Sequence, residues 1–252
     1  MKGKGLIVLL ALLAAGYYGY RYLPAHYNPL APLRLEDPPG FITHYKLRRL
    51  TPGQCANLLK EANQRNLITS RAVADSGGEC PLQNVVRVRD FGAVKLSSSF
   101  LASCPLALSS ALYLQQQAKP LTRRMLGQEL RQVDHFGSYA CRNIYHRQNA
   151  RRSEHATAEA LDISGFRLAD GRRISVLKGW PDAQYHPWLQ ALLAGGCSYY
   201  GNALGPDYNA AHANHFHLGM RGQGSVSEHN SLYTRLFTMK LFATGQSGVI
   251  KH

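Results

Sequence analysis

The sequence predicts an α+β domain, a small antiparallel sheet flanked by helices, standing behind one N-terminal apolar helix. Three observations carry that prediction. An uncharged run, Leu6 to Ala15, follows Lys2 and Lys4. Helix signals at Thr51-Pro52 and Pro105 bracket two β-rich segments, Val85-Val86-Arg87-Val88 and Val94-Lys95-Leu96. From Glu129 onward, short strand-like segments alternate with loops. With 252 residues, 45% of them hydrophobic, the chain can bury a sizeable core and is not disordered. Its 23 glycines follow no fixed period, which excludes a collagen-like repeat. The net charge is +14 although only 17% of residues are charged, so the excess reflects scarce acids. That balance favours anionic partners: nucleic acid, a membrane surface or an acidic polymer such as a cell wall.

Residues 1–22 read as a signal anchor. The basic start, the apolar run and Tyr17, Tyr18, Tyr20 and Tyr22 together resemble a membrane span with an interfacial aromatic belt. Cleavage after Gly16 is the alternative, because Ala14 and Gly16 are both small. In either case the chain beyond Arg21 is exported, while Lys2 and Lys4 of an anchor stay in the cytoplasm. Pro24, Pro29, Pro32, Pro38 and Pro39 make residues 23–40 a stiff, extended tether. The domain then spans 41–222, with an N-terminal part at 41–118 and a second part at 119–222. Thr51-Pro52 reads as an N-cap with a first-turn proline, opening a helix to about Arg65. A hairpin follows, turning at Asp90-Phe91-Gly92-Ala93, and then helices from Pro105 and near Pro120. A further helix is expected around Pro187–Leu193, and the tail 223–252 carries a helical pattern near Leu232–Phe242.

Export makes the five cysteines disulfide candidates. Cys80 and Cys104 lie symmetrically about Gly92, so a hairpin brings them together. Cys141 with Cys197 supplies a second bridge and leaves Cys55 free. The spacings match neither a zinc knuckle nor a redox Cys-x-x-Cys.

The chemistry concentrates in two segments. His212-Ala213-Asn214-His215-Phe216-His217 places three of the 11 histidines together. On a strand, His215 and His217 share a face and can supply metal ligands, although a packed or exposed pair fits the same pattern. In Ser153 to Ile163, His155 and Asp162 are seven residues apart. One straight helix would hold them roughly 10.5 Å apart along its axis, so a bend is needed for both to reach one ion. Asp162 between Leu161 and Ile163 is otherwise a strand-end residue, and His155 a surface histidine. An unpaired carboxylate buried there would be costly, and coordination removes that cost.

Ser-x-His-x(6)-Asp followed by His-x-His resembles the zinc D-Ala-D-Ala peptidase superfamily, with murein endopeptidases, lysostaphin-type enzymes and the hedgehog domain. Gly137 to Asn143, Ser153 to Phe166, Leu204-Gly205-Pro206 and His212 to Leu218 resemble more closely the bacterial extensin-like C-terminal family, over roughly residues 45–220. The resemblance implies that His155, Asp162 and His217 hold Zn²⁺. Asn214 stands where superfamily carboxypeptidases often carry a Glu base, and an amide cannot take a proton. The spacing His212-x-x-His215-x-His217 resembles the murein endopeptidase pattern, where non-ligand histidines assist, and this resemblance implies His215 as general base and proton shuttle with His212 in support. Arg142 matches a position where a guanidinium binds a substrate carboxylate or oxyanion, or else makes a structural salt bridge. Glu154 reads as a solvated carboxylate, with a hydrogen bond to a ligand imidazole as the other possibility. Ala158 stands where the pattern usually has Gly, and Tyr139, Trp180 and Trp188 read as core aromatics, with the lining of a groove as the alternative. The implied function is a zinc peptidase on peptidoglycan, held on the inner membrane with its domain in the periplasm. The alternative is a non-catalytic zinc-containing wall-binding or scaffold module of the same fold. Nucleic acid is not an expected partner, because the chain is exported and its Lys and Arg are scattered.

Overall fold

The computed structural model describes residues 2–222 and 225–226. Helix α1 (Lys2–Tyr22) is long and apolar enough to cross a bilayer, and none of its Gly5–Tyr22 window is buried against the rest of the chain. A membrane anchor and a signal sequence both fit it. The pattern near Leu232–Phe242 lies outside the described residues.

Helix α2 (Phe41–Arg48) was not legible in the sequence, whereas α3 (Pro52–Gln64) begins where its cap predicts. Thr51 Oγ1 accepts the Gln54 amide at 3.3 Å, and Gln54 Oε1 accepts the Thr51 amide at 3.0 Å, a closed capping box. Helix α3 buries Cys55, Leu59 and Ala62 along one stripe. Helix α4 (Cys104–Tyr113) is buried all round from Leu106 and runs through a π-helical turn, Leu114–Ala118, into α5 (Lys119–Leu126). Helices α6 (Val176–Gly179) and α7 (His186–Gly196) complete this layer.

The strands are β1 (Thr69–Ala72), β2 (Val85–Phe91), β3 (Val94–Ser103), β4 (Leu130–Gly137), β5 (Ala160–Leu168), β6 (Arg173–Ser175), β7 (Asn202–Leu204), β8 (Phe216–Gly219) and β9 (Ser225–Val226). They form one nine-stranded sheet in the order β1-β2-β3-β4-β5-β8-β7-β9, with β6 on β5. The small antiparallel sheet of the sequence reading is thus corrected: the sheet is large and mixed, because β3 with β4 and β7 with β9 pair in parallel. Helices α4 and α5 lie between β3 and β4 in the chain and carry it back for a parallel return. The expected hairpin is β2–β3, turning at Gly92 (φ 66°). A Cβ there would meet the Asn66 carbonyl oxygen at 2.4 Å, so both the backbone and the space call for glycine.

One sheet face packs into the core through Leu161, Ile163, Phe166, Phe216 and Leu218, all at most 1% exposed. Trp188 meets Phe166 and Trp180 meets Phe216 edge-on, so both tryptophans belong to the core.

Residues 23–40 are not a free tether. Leu33 and Leu35 join the core. The Lys46 ammonium donates to Asp37 Oδ2 at 2.9 Å and to the Ala25 carbonyl at 2.8 Å, deep under α2. The prolines stiffen this stretch, but its two core leucines and its buried ion pair fasten it to the domain. The expected disulfide pairing is overturned as well. Cys55 bonds Cys104, Cys80 bonds Cys141, and Cys197 is free. The hairpin does bring Val85 opposite Ser103. Ser103 then caps α4, so Cys104 turns onto α3, while Cys80 sits in the preceding loop beside the 138–152 segment. Burial pushes the Cys197 thiol up to about 12, which leaves it unreactive at neutral pH.

Candidate metal centre

Three backbone devices converge on one point of the opposite, open sheet face. Ser153 caps a 3₁₀ turn, Glu154–Thr157, that presents His155, and Ala158 ends the turn at φ 52° in the left-handed region. That conformation accounts for the glycine usual at this position in the pattern. Strand β5 supplies Asp162, and β8 pairs with it so that His217 lies opposite. The bend required between His155 and Asp162 is therefore the turn-to-strand junction at Ala158.

His155 Nε2 lies 3.1 Å from Asp162 Oδ2, and His217 Nδ1 lies 3.0 Å from Asp162 Oδ1. One ligand atom from each of the three falls within 4.8 Å of the others, a set that could hold a metal ion. The remote ring nitrogens are tied down by the protein. His155 Nδ1 donates to the Ser138 carbonyl at 2.9 Å, and His217 Nε2 donates to Glu154 Oε2 at 3.3 Å. Nε2 of His155 and Nδ1 of His217 are thereby turned toward Asp162, the arrangement that orients metal-binding imidazoles.

Glu154 is the residue whose sequence reading changes most. It is not solvated: its side chain is 13% exposed and wholly engaged. Oε2 also accepts Asn202 Nδ2 at 2.9 Å, and Oε1 accepts the Arg221 amide at 2.6 Å. Burial alone would raise its carboxyl, but the bonds from His217, Arg221 and Asn202 outweigh it and hold the group below its ordinary value. Burial would likewise raise Asp162, yet bonds from His155 and His217 hold it well below the usual carboxylate range. For His217, burial acts to lower the ring, and Asp162 and Glu154 overcome it to raise the ring to about 9. Without a metal, two carboxylates hold a charged imidazole between them.

His215 and His212 border this cluster. His215 immediately precedes β8, and its Nε2 stands 3.6 Å from Asp162 Oδ1. Its Nδ1 donates to Asn214 Oδ1 at 2.8 Å, so Asn214 turns onto its neighbour rather than into the site. His212 Nδ1 donates to Asn209 Oδ1 at 2.7 Å, and Asn209 Nδ2 donates to the Tyr145 hydroxyl at 3.0 Å. Burial lowers both His215 and His212, and burial together with the neighbouring histidines takes His212 to about 4. Both are neutral at pH 7, with Nε2 left as an acceptor. Phe136, an exposed aromatic, stands 5.9 Å ring to ring from His215. Arg142 is half-buried and forms no ion pair among the described residues, and its charge bears on His215. Tyr139 is exposed rather than a core aromatic, because its hydroxyl donates to the Cys80 carbonyl at 3.1 Å, which braces the loop held by the Cys80–Cys141 bridge.

Sequence reasoning brought together His155, Asp162, His217, His215 and His212, and the structure places all five at one point. It missed Asn202, Asn209 and the Ser138 carbonyl. Asparagines far along the chain carry no periodic signal, and a backbone carbonyl carries none at all. No curated protein and no solved structure matches the chain. The family described as extensin-like protein C-terminus matches residues 53–228, a span that takes in both disulfides, the 3₁₀ turn with His155, Asp162 on β5 and the His212–His217 segment. On that match the chain belongs to the extensin-like protein C-terminus family.

Proposed function

We propose that the chain is a membrane-anchored zinc peptidase that hydrolyses stem peptides or cross-links of peptidoglycan on the outer side of the bacterial inner membrane. The observation that carries this reading is the convergence of His155, Asp162 and His217 with each ring's remote nitrogen already engaged. The donor set fits a zinc ion: two imidazoles and one carboxylate are a common open-site combination. His155 Nδ1 is held by the Ser138 carbonyl while its Nε2 faces the Asp162 carboxylate at 3.1 Å, so a cation held there would be offered both groups as ligands. When bound, zinc acidifies a water and polarises the scissile carbonyl.

The rest of the reaction falls to this chain's own groups. His215 takes the proton at Nε2, because Asn214 holds its Nδ1–H. His212 beside it, fixed by Asn209, relays or stabilises that proton. Arg142 has no carboxylate partner among the described residues and can hold a substrate carboxylate or developing oxyanion. Elemental analysis of protein purified without added metal, paired with muropeptide release from sacculi with and without chelator, tests the reading. Zinc absent from wild-type protein, or release unaffected by chelator, would defeat it. The amide at Asn214, in place of a carboxylate base, favours the second reading of a zinc-containing wall-binding module. Bound zinc with no release from sacculi would select that one.

A further inference from the structure

The open face of the sheet carries a second feature, at the other end of β5 from the metal cluster. Arg167 lies five residues beyond Asp162, and in a regular strand the two would face opposite sides. The β4–β5 ladder changes register on both sides of His135. Gly137 pairs with Asp162, His135 with Ile163 and Asp134 with Gly165, so Phe136 and Ser164 are each bulged out. The effect is visible in the burial. Ile163 and Phe166 both face the core, and Asp162 and Arg167 both face outward.

Cross-strand register then lines up a row over four adjacent strands: Lys95 opposite Gln132, Gln132 opposite Arg167, and Arg167 opposite Arg173. These residues, with Arg131, line an open depression of about 480 Å³ that holds four cations and no carboxylate. Asp134 is taken by Arg167 Nε at 3.1 Å and by Gln132 at 2.6 Å, and Asp170, next to Gly171, by Arg172 Nε at 2.7 Å. Lys95 stands 3.4 Å from Asp90 at the rim. Arg131 and Arg173 are exposed and pair with no acid among the described residues. With Arg167 and Lys95 paired, Arg131 and Arg173 leave uncompensated positive charge in the hollow, and an anionic ligand relieves their repulsion.

We propose that this depression is an anion subsite that takes the carboxylates of an extended acidic peptide whose scissile bond lies at the metal cluster. The peptide assignment rests on the function proposed above, while the anion subsite stands on the row itself. The separation along β5 is about 16 Å, the length of roughly five extended residues. A substrate too short to reach would forgo this contact.

The test uses the full chain in detergent, stripped of metal, titrated with fluorescein-labelled hexaglutamate at low ionic strength and followed by anisotropy. Arg131→Glu with Arg173→Glu should weaken binding about tenfold, as two exposed charge contacts are lost and reversed. Arg49→Glu with Lys60→Glu changes the net charge equally, just past the end of α2 and on α3, and should stay within about twofold. Equal losses in both pairs mean that only the overall charge attracts the peptide, and the subsite is overturned. It is also overturned if the first pair binds like wild type. A single-stranded oligonucleotide of equal charge that binds more tightly than hexaglutamate would make the depression a phosphate site and refute the peptide. Peptide binding is read on metal-free protein and is independent of hydrolysis. Failure of wall hydrolysis beside an intact Arg131/Arg173 effect therefore defeats the peptidase reading alone, and the converse defeats the subsite alone.

Discussion

Glu154→Gln should keep the fold and lose metal. The carboxylate gives Oε1 to the Arg221 amide and Oε2 to both His217 Nε2 and Asn202 Nδ2, three donors on two acceptor atoms. Glutamine has the same shape but only one acceptor. Either its NH₂ faces the Arg221 N–H, or it faces two donors at His217 and Asn202. In the second case His217 escapes the clash by moving its proton to Nδ1, the nitrogen that faces Asp162, and a protonated nitrogen cannot bind a metal. Loss of such a supporting partner typically weakens metal affinity 10–100-fold, or about 1.4–2.7 kcal/mol. Titration against a competing chelator reads the affinity, and ¹⁵N chemical shifts of His217 read the tautomer. Gly219→Ala approaches the same carboxylate from the other side. Its new Cβ would stand 2.5 Å from Oε2 and 2.6 Å from Oε1 within an ordinary strand, so Glu154 must leave its three partners. The two variants should converge on the same weakened affinity. Glu159→Gln is the control, since Glu159 pairs with Arg221 and Thr157 and touches no ligand ring. Wild-type metal affinity in Glu154→Gln, in a protein where His217→Ala abolishes binding, refutes the positioning role.

His215→Ala should retain zinc and lose about 10²–10⁴-fold in muropeptide release, and His212→Ala less; unchanged release from His215→Ala removes it as the base. Asn214→Ala, which frees the His215 Nδ1–H, should fall between wild type and His215→Ala in rate with metal content unchanged. Metal uptake at pH 7 should release about one proton, because His217, raised to about 9 despite its burial, must give one up. Calorimetric heats that do not vary with buffer ionisation enthalpy contradict this. In the metal-free protein the same raised value favours folding fully below about pH 6.5, and the contribution disappears as pH rises through about 9. Replacing Cys55 and Cys104 by Ser opens a link across 49 residues and should lower stability by about 4 kcal/mol, read by urea unfolding. A loss below about 1 kcal/mol would show that α3 and α4 are held by packing alone.

What was legible in the sequence is what depends on neighbours a few residues away. Thr51 with Gln54 fixes the start of α3, and a turn around Gly92 fixes the β2–β3 hairpin. His217 two residues from His215 is enough to bring both rings to Asp162. What was not legible depends on where distant segments meet. The cysteine symmetry about Gly92 is real, but it predicts a bond only if the chain continues straight past Ser103, and Ser103 instead starts a helix. The prolines of residues 23–40 describe a stiff chain, while Leu33, Leu35 and the Asp37–Lys46 pair decide that it is packed. Glu154 looked solvated because its partners, Asn202 and Arg221, lie 48 and 67 residues away.

The paired bulges in β4 and β5 are the clearest case of this divide, because strand periodicity gives the wrong answer for Arg167. Alternation from Asp162 would send Arg167 to the core face, yet burying a guanidinium there without a partner would be far costlier than a local register change. The chain instead leaves Phe136 on β4 and Ser164 on β5 unpaired between Asp162 and Arg167, with a further shift at Arg131, and both sides of the sheet remain consistent. Phe166 stays in the core against Trp188, and Arg167 stays outside against Asp134. The same displacement leaves Phe136 exposed beside His215, an apolar ring at the edge of the metal cluster with no core to fill. A regular ladder would have hidden that ring or turned a charge inward. The bulges thus account at once for the cationic row at one end of β5 and for the aromatic at the other.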